Sequence, residues 1–103
     1  MPFSLKVGCC SLRFVLRGNQ SLKDKRRIVR KIKDRLKNKF NISVAEIGDQ
    51  DMKNNLYLGV AAISSDSRYL DSLMEQVISF VDNMHLADIA DHHVELIHLG
   101  HGP

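Results

Sequence analysis

The spacing of apolar residues divides this chain into four strand-like and two helix-like segments, and their order leaves few folds open. Strand-like segments repeat apolar residues at every second position, whereas helix-like segments repeat them every three to four positions. Residues 10, 12, 14 and 16, for example, are all apolar. The strand-like segments are residues 3–16, 41–47, 56–63 and a last stretch around 94–98, and the helix-like segments are residues 22–39 and 67–84.

The resulting order, β-α-β-β-α-β, is that of a ferredoxin-like α+β sandwich. This fold has a four-stranded antiparallel sheet with two helices on one face, in the spatial order fourth, first, third, second strand. We therefore expect one ferredoxin-like domain over residues 1–99, followed by a disordered tail at residues 100–103.

Composition excludes several other classes of protein. The 103 residues are 44% hydrophobic and 26% charged, which is average for a globular domain. No apolar run approaches the ~20 residues of a membrane span, and the start of the chain lacks the pattern of a signal peptide. The adjacent Cys9 and Cys10 would point to opposite faces of a strand, so we expect reduced thiols and a cytoplasmic protein.

The charges are unevenly distributed along the chain. Residues 21–39 contain ten of the fifteen Lys and Arg residues but only two acids, a net charge of +8. The rest of the chain carries −5, although the net charge of the whole is only +3. Such an asymmetry indicates a basic face directed at an anionic partner.

Five of these cations are spaced 3, 4, 3, 4 along the first helix and so form one stripe beside its apolar side. The stripe consists of Lys23, Arg26, Arg30, Lys33 and Lys37, with Arg27 as a flanking residue. Three interpretations remain open: a nucleic-acid-binding surface, an ordinary solvated helix face, and a docking surface for an acidic protein. Arg and Lys at this spacing suit a phosphate backbone, so we predict that these six residues bind nucleic acid.

Lys25 falls inside the apolar arc of the first helix, between Leu22 and Val29. In the predicted fold the start of this helix lies near the end of the second strand, where Glu46 is expected to face the helix. We therefore predict a structural ion pair between Lys25 and Glu46. A functional site at this position is the alternative.

The sheet face without helices is predicted to be too apolar for water and too poor in aromatic residues for stacking bases. The third strand offers only Tyr57 where an RNA-recognition motif needs several aromatic residues. An apolar open face is more typical of a contact with another subunit. We predict a homodimer or higher oligomer whose interface includes Val15, Ile47, Ala61, Ile63 and Ile97.

The sequence contains no recognisable catalytic or metal-binding pattern. The five histidines lack H-E-x-x-H spacing, and neither cysteine has an identifiable base partner. Phosphate-binding loops, dinucleotide glycine patterns and nucleophile elbows are also absent from the sequence. We expect no enzyme, no cofactor and no metal.

Three motifs make the chain resemble the YlxP-like family of small bacterial proteins. They are the run Ser21-Leu22-Lys23-Asp24-Lys25-Arg26-Arg27, the run Phe40-Asn41-Ile42-Ser43-Val44-Ala45-Glu46-Ile47 followed by Asp51, and Leu58-Gly59-Val60-Ala61. The resemblance extends from about Val7 to Leu96, but the histidine-rich end beyond Asp91 finds no match. It implies a ferredoxin-like domain, commonly encoded near translation-initiation and ribosome-maturation factors, without an established reaction or catalytic residues.

Together these features predict a small, non-enzymatic protein that binds structured RNA or a ribosomal particle through its basic first helix. A role in ribosome maturation or translation would fit the resemblance. The alternative is a homo-oligomeric protein-interaction module whose basic helix docks an acidic protein.

Overall fold

The computed structural model describes residues 3–18, 21–48 and 50–101. Four strands and two helices follow one another in the predicted order β-α-β-β-α-β. They are β1 (Ser4–Val15), α1 (Leu22–Lys39), β2 (Ser43–Gly48), β3 (Asn55–Ser64), α2 (Ser67–Asp82) and β4 (Asp88–His101). The strands form one antiparallel sheet in the order β2-β3-β1-β4, which confirms the ferredoxin-like sandwich.

The two helices begin at residues whose side chains cap them. Ser21 accepts a hydrogen bond from the backbone N–H of Asp24 at 3.1 Å, and Asp66 accepts from the N–H groups of Arg68 and Tyr69. Such caps satisfy amide groups that the first helical turn leaves unpaired. Residues 19 and 20, which precede α1 along the chain, and residue 49, which follows β2, lie outside the described residues.

The core lies between the helices and the inner sheet face, as the periodicities predict. Alternate residues of β1 are fully buried and meet the apolar side of each helix. The largest wholly buried apolar side chains are Phe14, Leu12, Ile32, Leu36, Leu56, Leu58, Leu70, Met74, Val77 and Val81. Two apolar residues of β4 are less buried: Val94 is half-buried, and Leu96 is exposed.

β4 is longer at both ends than the sequence indicated. It pairs with β1 from Asp88 to His101, with register shifts near each end of the ladder. Gly100 pairs with Leu5 and His101 with Ser4, so β4 continues two residues beyond the boundary expected at residue 99; residues 102 and 103 lie outside the described residues. The ends of β4 are defined by pairing with β1 rather than by alternating apolar residues. The long β1–β4 pair contributes to the elongated shape of the molecule, 54 × 24 × 21 Å.

Candidate nucleic-acid interface

Four predicted RNA-binding residues line one groove between α1 and the edge strand β2. The groove has a volume of about 310 Å³ and is lined by Arg26, Val29, Arg30, Lys33, Asp34, Lys37 and Glu46. The 3-4-3-4 spacing places the cations along one side of α1. The buried Val29 lines the same groove, so the groove contains one apolar residue among its charged side chains.

The other two predicted residues lie outside the groove. Lys23 continues the same helix stripe by one turn, and Arg27 lies on the adjoining part of the helix surface; both side chains are exposed. We use the term basic surface for the full set of six: Lys23, Arg26, Arg27, Arg30, Lys33 and Lys37.

The cations of the basic surface are not neutralised inside the protein. Within the described parts of the chain, none of the six makes an ion pair; the ion pairs there join Arg17 to Asp88 and His93 to Glu95. Asp34 and Glu46 line the groove, and neither forms an ion pair with a described residue. Four cations against two carboxylates leave this groove positively charged and open to an anion.

The structure corrects the predicted ion pair between Lys25 and Glu46. Lys25 Nζ instead donates to the carbonyl oxygen of Met52 at 2.7 Å, and no described contact joins it to Glu46. Glu46 faces the helix layer as expected, but it lines the groove that also contains Arg26 and Arg30. The prediction identified the correct sheet face for Glu46 and the wrong helix residue opposite it. The expected position of β2 at the sheet edge, beside the cationic side of α1, could have indicated that Glu46 lies near those cations.

The open sheet face carries a second, apolar groove of about 480 Å³. Small residues make its floor where the four strands meet side by side. The groove is lined by Cys9, Cys10, Ser11, Ser43, Val44, Ala45, Ile47, Gly59, Val60, Ala61, His93 and Glu95. The cross-strand register places Ser43, Ala61, Cys9 and Glu95 in one row and Ala45, Gly59, Ser11 and His93 in the next.

The five predicted interface residues all lie on the open face, but they do not form one patch. Ile47 and Ala61 line the groove, whereas Ile63 and Ile97 flank Val7 at one end of the sheet. Val15 lies eight residues farther along β1, beside Asp88, which is roughly 26 Å away at ordinary strand rise. Ile63, with 69% of its surface exposed, and Ile47, with 55%, are the most exposed of the five.

The two cysteines differ in environment, as expected from their opposite strand faces. Cys10 is buried in the core, and this burial, with a smaller contribution from neighbouring Cys9, raises the pKa of its thiol to about 11. Cys9 is half-buried on the open face, where its thiol contacts the carbonyl oxygen of Glu95 at 3.7 Å. A thiol with so high a pKa stays protonated at neutral pH, so Cys10 is a poor nucleophile.

The histidine-rich end lies along the exposed strand β4. His93 Nε2 is 3.0 Å from Glu95 Oε1, and His98 pairs with Lys6 across the ladder. Among the described residues, no group of three or more His, Cys, Asp or Glu side chains is arranged to hold a metal ion. No helix in the described ranges is long and apolar enough to cross a membrane.

Comparison with known proteins gives the chain a family. Residues 7–94 match the family model described as "Protein of unknown function (DUF503)". The chain belongs to the DUF503 family. The uncharacterized protein YlxP of Bacillus subtilis (strain 168) is 34% identical over 77 residues, which make up 75% of this chain and 84% of that protein. The resemblance inferred from the three sequence motifs is thereby confirmed.

Solved structures similar to this DUF503 protein are distant in sequence. The de novo designed protein Foldit4 has a TM-score of 0.49 and 16% identity, with 93% of this chain and 97% of that chain covered. The de novo designed protein LFR1 1, described as having a ferredoxin fold, has a TM-score of 0.44 and 8% identity over 92% of this chain and 85% of its own.

Proposed function

We propose that this DUF503 protein is a non-enzymatic cytoplasmic protein that binds structured RNA, within a ribosomal particle, through its basic surface. The observation that carries the proposal is the groove between α1 and β2. Its four cations have no ion-pair partner in the described chain, so an external anion is their natural partner. The link to translation comes from the family resemblance.

The chemistry of the groove suits phosphate. Arg26 and Arg30 can each make forked, two-point contacts to a phosphate group, whereas Lys33 and Lys37 act as point charges. Phosphate contacts carry no sequence information, so the protein would recognise the shape of a folded RNA rather than its bases. In the described part of the chain, the open face of the sheet has Tyr57 as its aromatic residue, and a single ring cannot stack several bases.

A charge-reversal experiment tests this proposal. The double variant Arg26→Glu/Arg30→Glu should lose co-sedimentation with ribosomal subunits, because it replaces two groove cations by carboxylates. The matched control is Lys31→Glu/Arg35→Glu, which makes the same change of net charge at exposed residues outside the groove lining. This control should retain most of the binding.

Thermal unfolding of both variants checks that the fold is intact. If the groove variant binds like the parent, the basic surface is an ordinary solvated face and the proposal is wrong. Equal loss of binding in both variants would show that overall charge, rather than the groove, holds the RNA.

The second candidate function is a homo-oligomeric interaction module, and the apolar groove on the open face favours it. Association would cover Ile47, Ala61, Ile63 and Ile97, while the basic surface would dock an acidic protein. The variant Ile63→Lys should then weaken self-association without unfolding the chain, measured by light scattering. If a protein partner still binds after nuclease treatment, and this binding is lost when Arg26 and Arg30 are replaced, the partner of the basic surface is an acidic protein rather than RNA.

A further inference from the structure

β4 is a long edge strand of the sheet. The opposite edge strand, β2, has only six residues and contains a register shift. β4 has fourteen residues, and its sequence contains neither the Lys nor the Pro that commonly protects an edge. Within the described chain the sheet ends at β4, so no strand pairs with its outer backbone N–H and C=O groups.

Apolar side chains are exposed along the same strand. Leu99 has 62% of its surface exposed, and Leu96 and Ile97 have 39% each. Between Asp91 and His98 the strand pairs with β1 without a register shift, so this stretch presents a regular edge. A long, regular and partly apolar edge is a template for another strand.

The sequence of β4 is complementary to itself in the antiparallel direction. In an antiparallel pair of two β4 strands centred on Val94, each His93 lies opposite Glu95 of the second copy. The two side chains suit one another, since within one chain His93 Nε2 and Glu95 Oε1 are already 3.0 Å apart. A two-fold axis through Val94 would create this favourable contact twice.

We propose that two copies of this chain pair through the outer edge of β4, antiparallel and centred on Val94, to form one continuous eight-stranded sheet. This interface differs from the open face, and it does not rest on RNA binding. Because α1 lies beside β2 at the far edge, the pairing leaves both basic surfaces uncovered. It places the two β2 strands roughly 34 Å apart at ordinary strand spacing.

Sedimentation velocity over a range of protein concentrations tests the pairing. We expect a dimer, and we expect His93→Glu to raise its dissociation constant about tenfold, because the introduced carboxylate faces Glu95 of the second copy. The swap His93→Glu/Glu95→His should restore the parent dissociation constant. Gln76→Glu is the control, since it introduces one negative charge at an exposed position of α2.

Hydrogen exchange supplies a readout that does not depend on the variants. Backbone amides of residues 91–97 should exchange more slowly as the protein concentration rises, whereas those of β2 should not change. A strict monomer at every concentration would overturn the proposal. The proposal would also be wrong if Ile63→Lys dissociated the dimer while His93→Glu left its dissociation constant unchanged.

Discussion

Lys25 Nζ donates a hydrogen bond to the carbonyl oxygen of Met52 at 2.7 Å, although only 2% of the lysine surface is exposed. The contact ties the first turn of α1 to the loop between β2 and β3. A buried ammonium group is stable only where polar atoms replace its water. Lys25 therefore holds the loop against the same helix that carries the basic surface.

Replacing this lysine should destabilise the protein. Lys25→Met keeps most of the apolar stem but leaves the Met52 carbonyl without its ammonium donor, and we expect a loss of about 1–3 kcal/mol in the free energy of unfolding. Lys31→Met, at an exposed position of the same helix, should change it by less than about 0.5 kcal/mol. Urea denaturation measures both. Equal stability of the two variants would contradict the structural role of Lys25.

Replacing Gly8 by alanine should lower the stability of the protein more than replacing Gly59 by alanine. A Cβ atom at Gly8 would lie 3.1 Å from Cβ of the buried Leu70, which is fixed to the backbone of α2. Gly8→Ala must therefore shift the helix, at a cost of about 1–3 kcal/mol in stability. At Gly59 the close atom is Cγ2 of Ile47, at 2.9 Å, and this exposed side chain can rotate away.

We expect Gly59→Ala to cost less than Gly8→Ala for that reason. The difference in midpoint between their urea denaturation curves checks the prediction, with the parent as reference. A Gly59→Ala variant less stable than Gly8→Ala would mean that α2 adjusts to the extra methyl group more easily than the open face does.

Stability should fall at alkaline pH because of Cys10. Burial raises the pKa of this thiol from 9.0 to about 11, so the unfolded chain loses the proton at lower pH than the folded protein. Unfolding therefore releases a proton between pH 9 and about 11, and the free energy of unfolding decreases as pH rises through this window.

The pH dependence can be assigned to Cys10 by substitution. Between pH 9 and about 11, Cys10→Ala should show a shallower decrease in unfolding free energy than the parent. Cys9→Ala should keep most of the decrease, because burial is the larger cause of the raised pKa. Parallel curves for the parent and Cys10→Ala would contradict the assignment.

Binding to RNA should depend steeply on salt. With about five phosphates neutralised, the logarithm of the affinity should fall against the logarithm of the salt concentration with a slope between about −3.5 and −4.5. Removing one groove cation, as in Lys37→Gln, should reduce the magnitude of the slope by somewhat less than one. Fluorescence anisotropy with a folded ribosomal RNA fragment measures the slopes, and a salt-independent affinity would exclude phosphate contacts.

The order of the elements and the buried side of each can be read from the amino-acid sequence alone. The alternation of Leu12, Phe14 and Leu16 and the helical spacing of Val29, Ile32 and Leu36 are local repeats, and every one of these residues is buried. Local repeats are sufficient here because strands and helices have fixed periods, so an apolar face follows directly from the positions of apolar residues.

Which side chains meet across elements depends on how the helices and strands pack in the folded chain. Glu46 shares a groove with Arg26 and Arg30, whereas Lys25 bonds to Met52, and β4 extends to His101 because β1 pairs with it. Such contacts depend on strand register, on bulges and on the placement of α1 beside the sheet edge, none of which leaves a periodic signal. The side of a helix or strand on which a residue lies depends on its own segment alone. The residue that it contacts depends on two segments, which come together only when the chain folds.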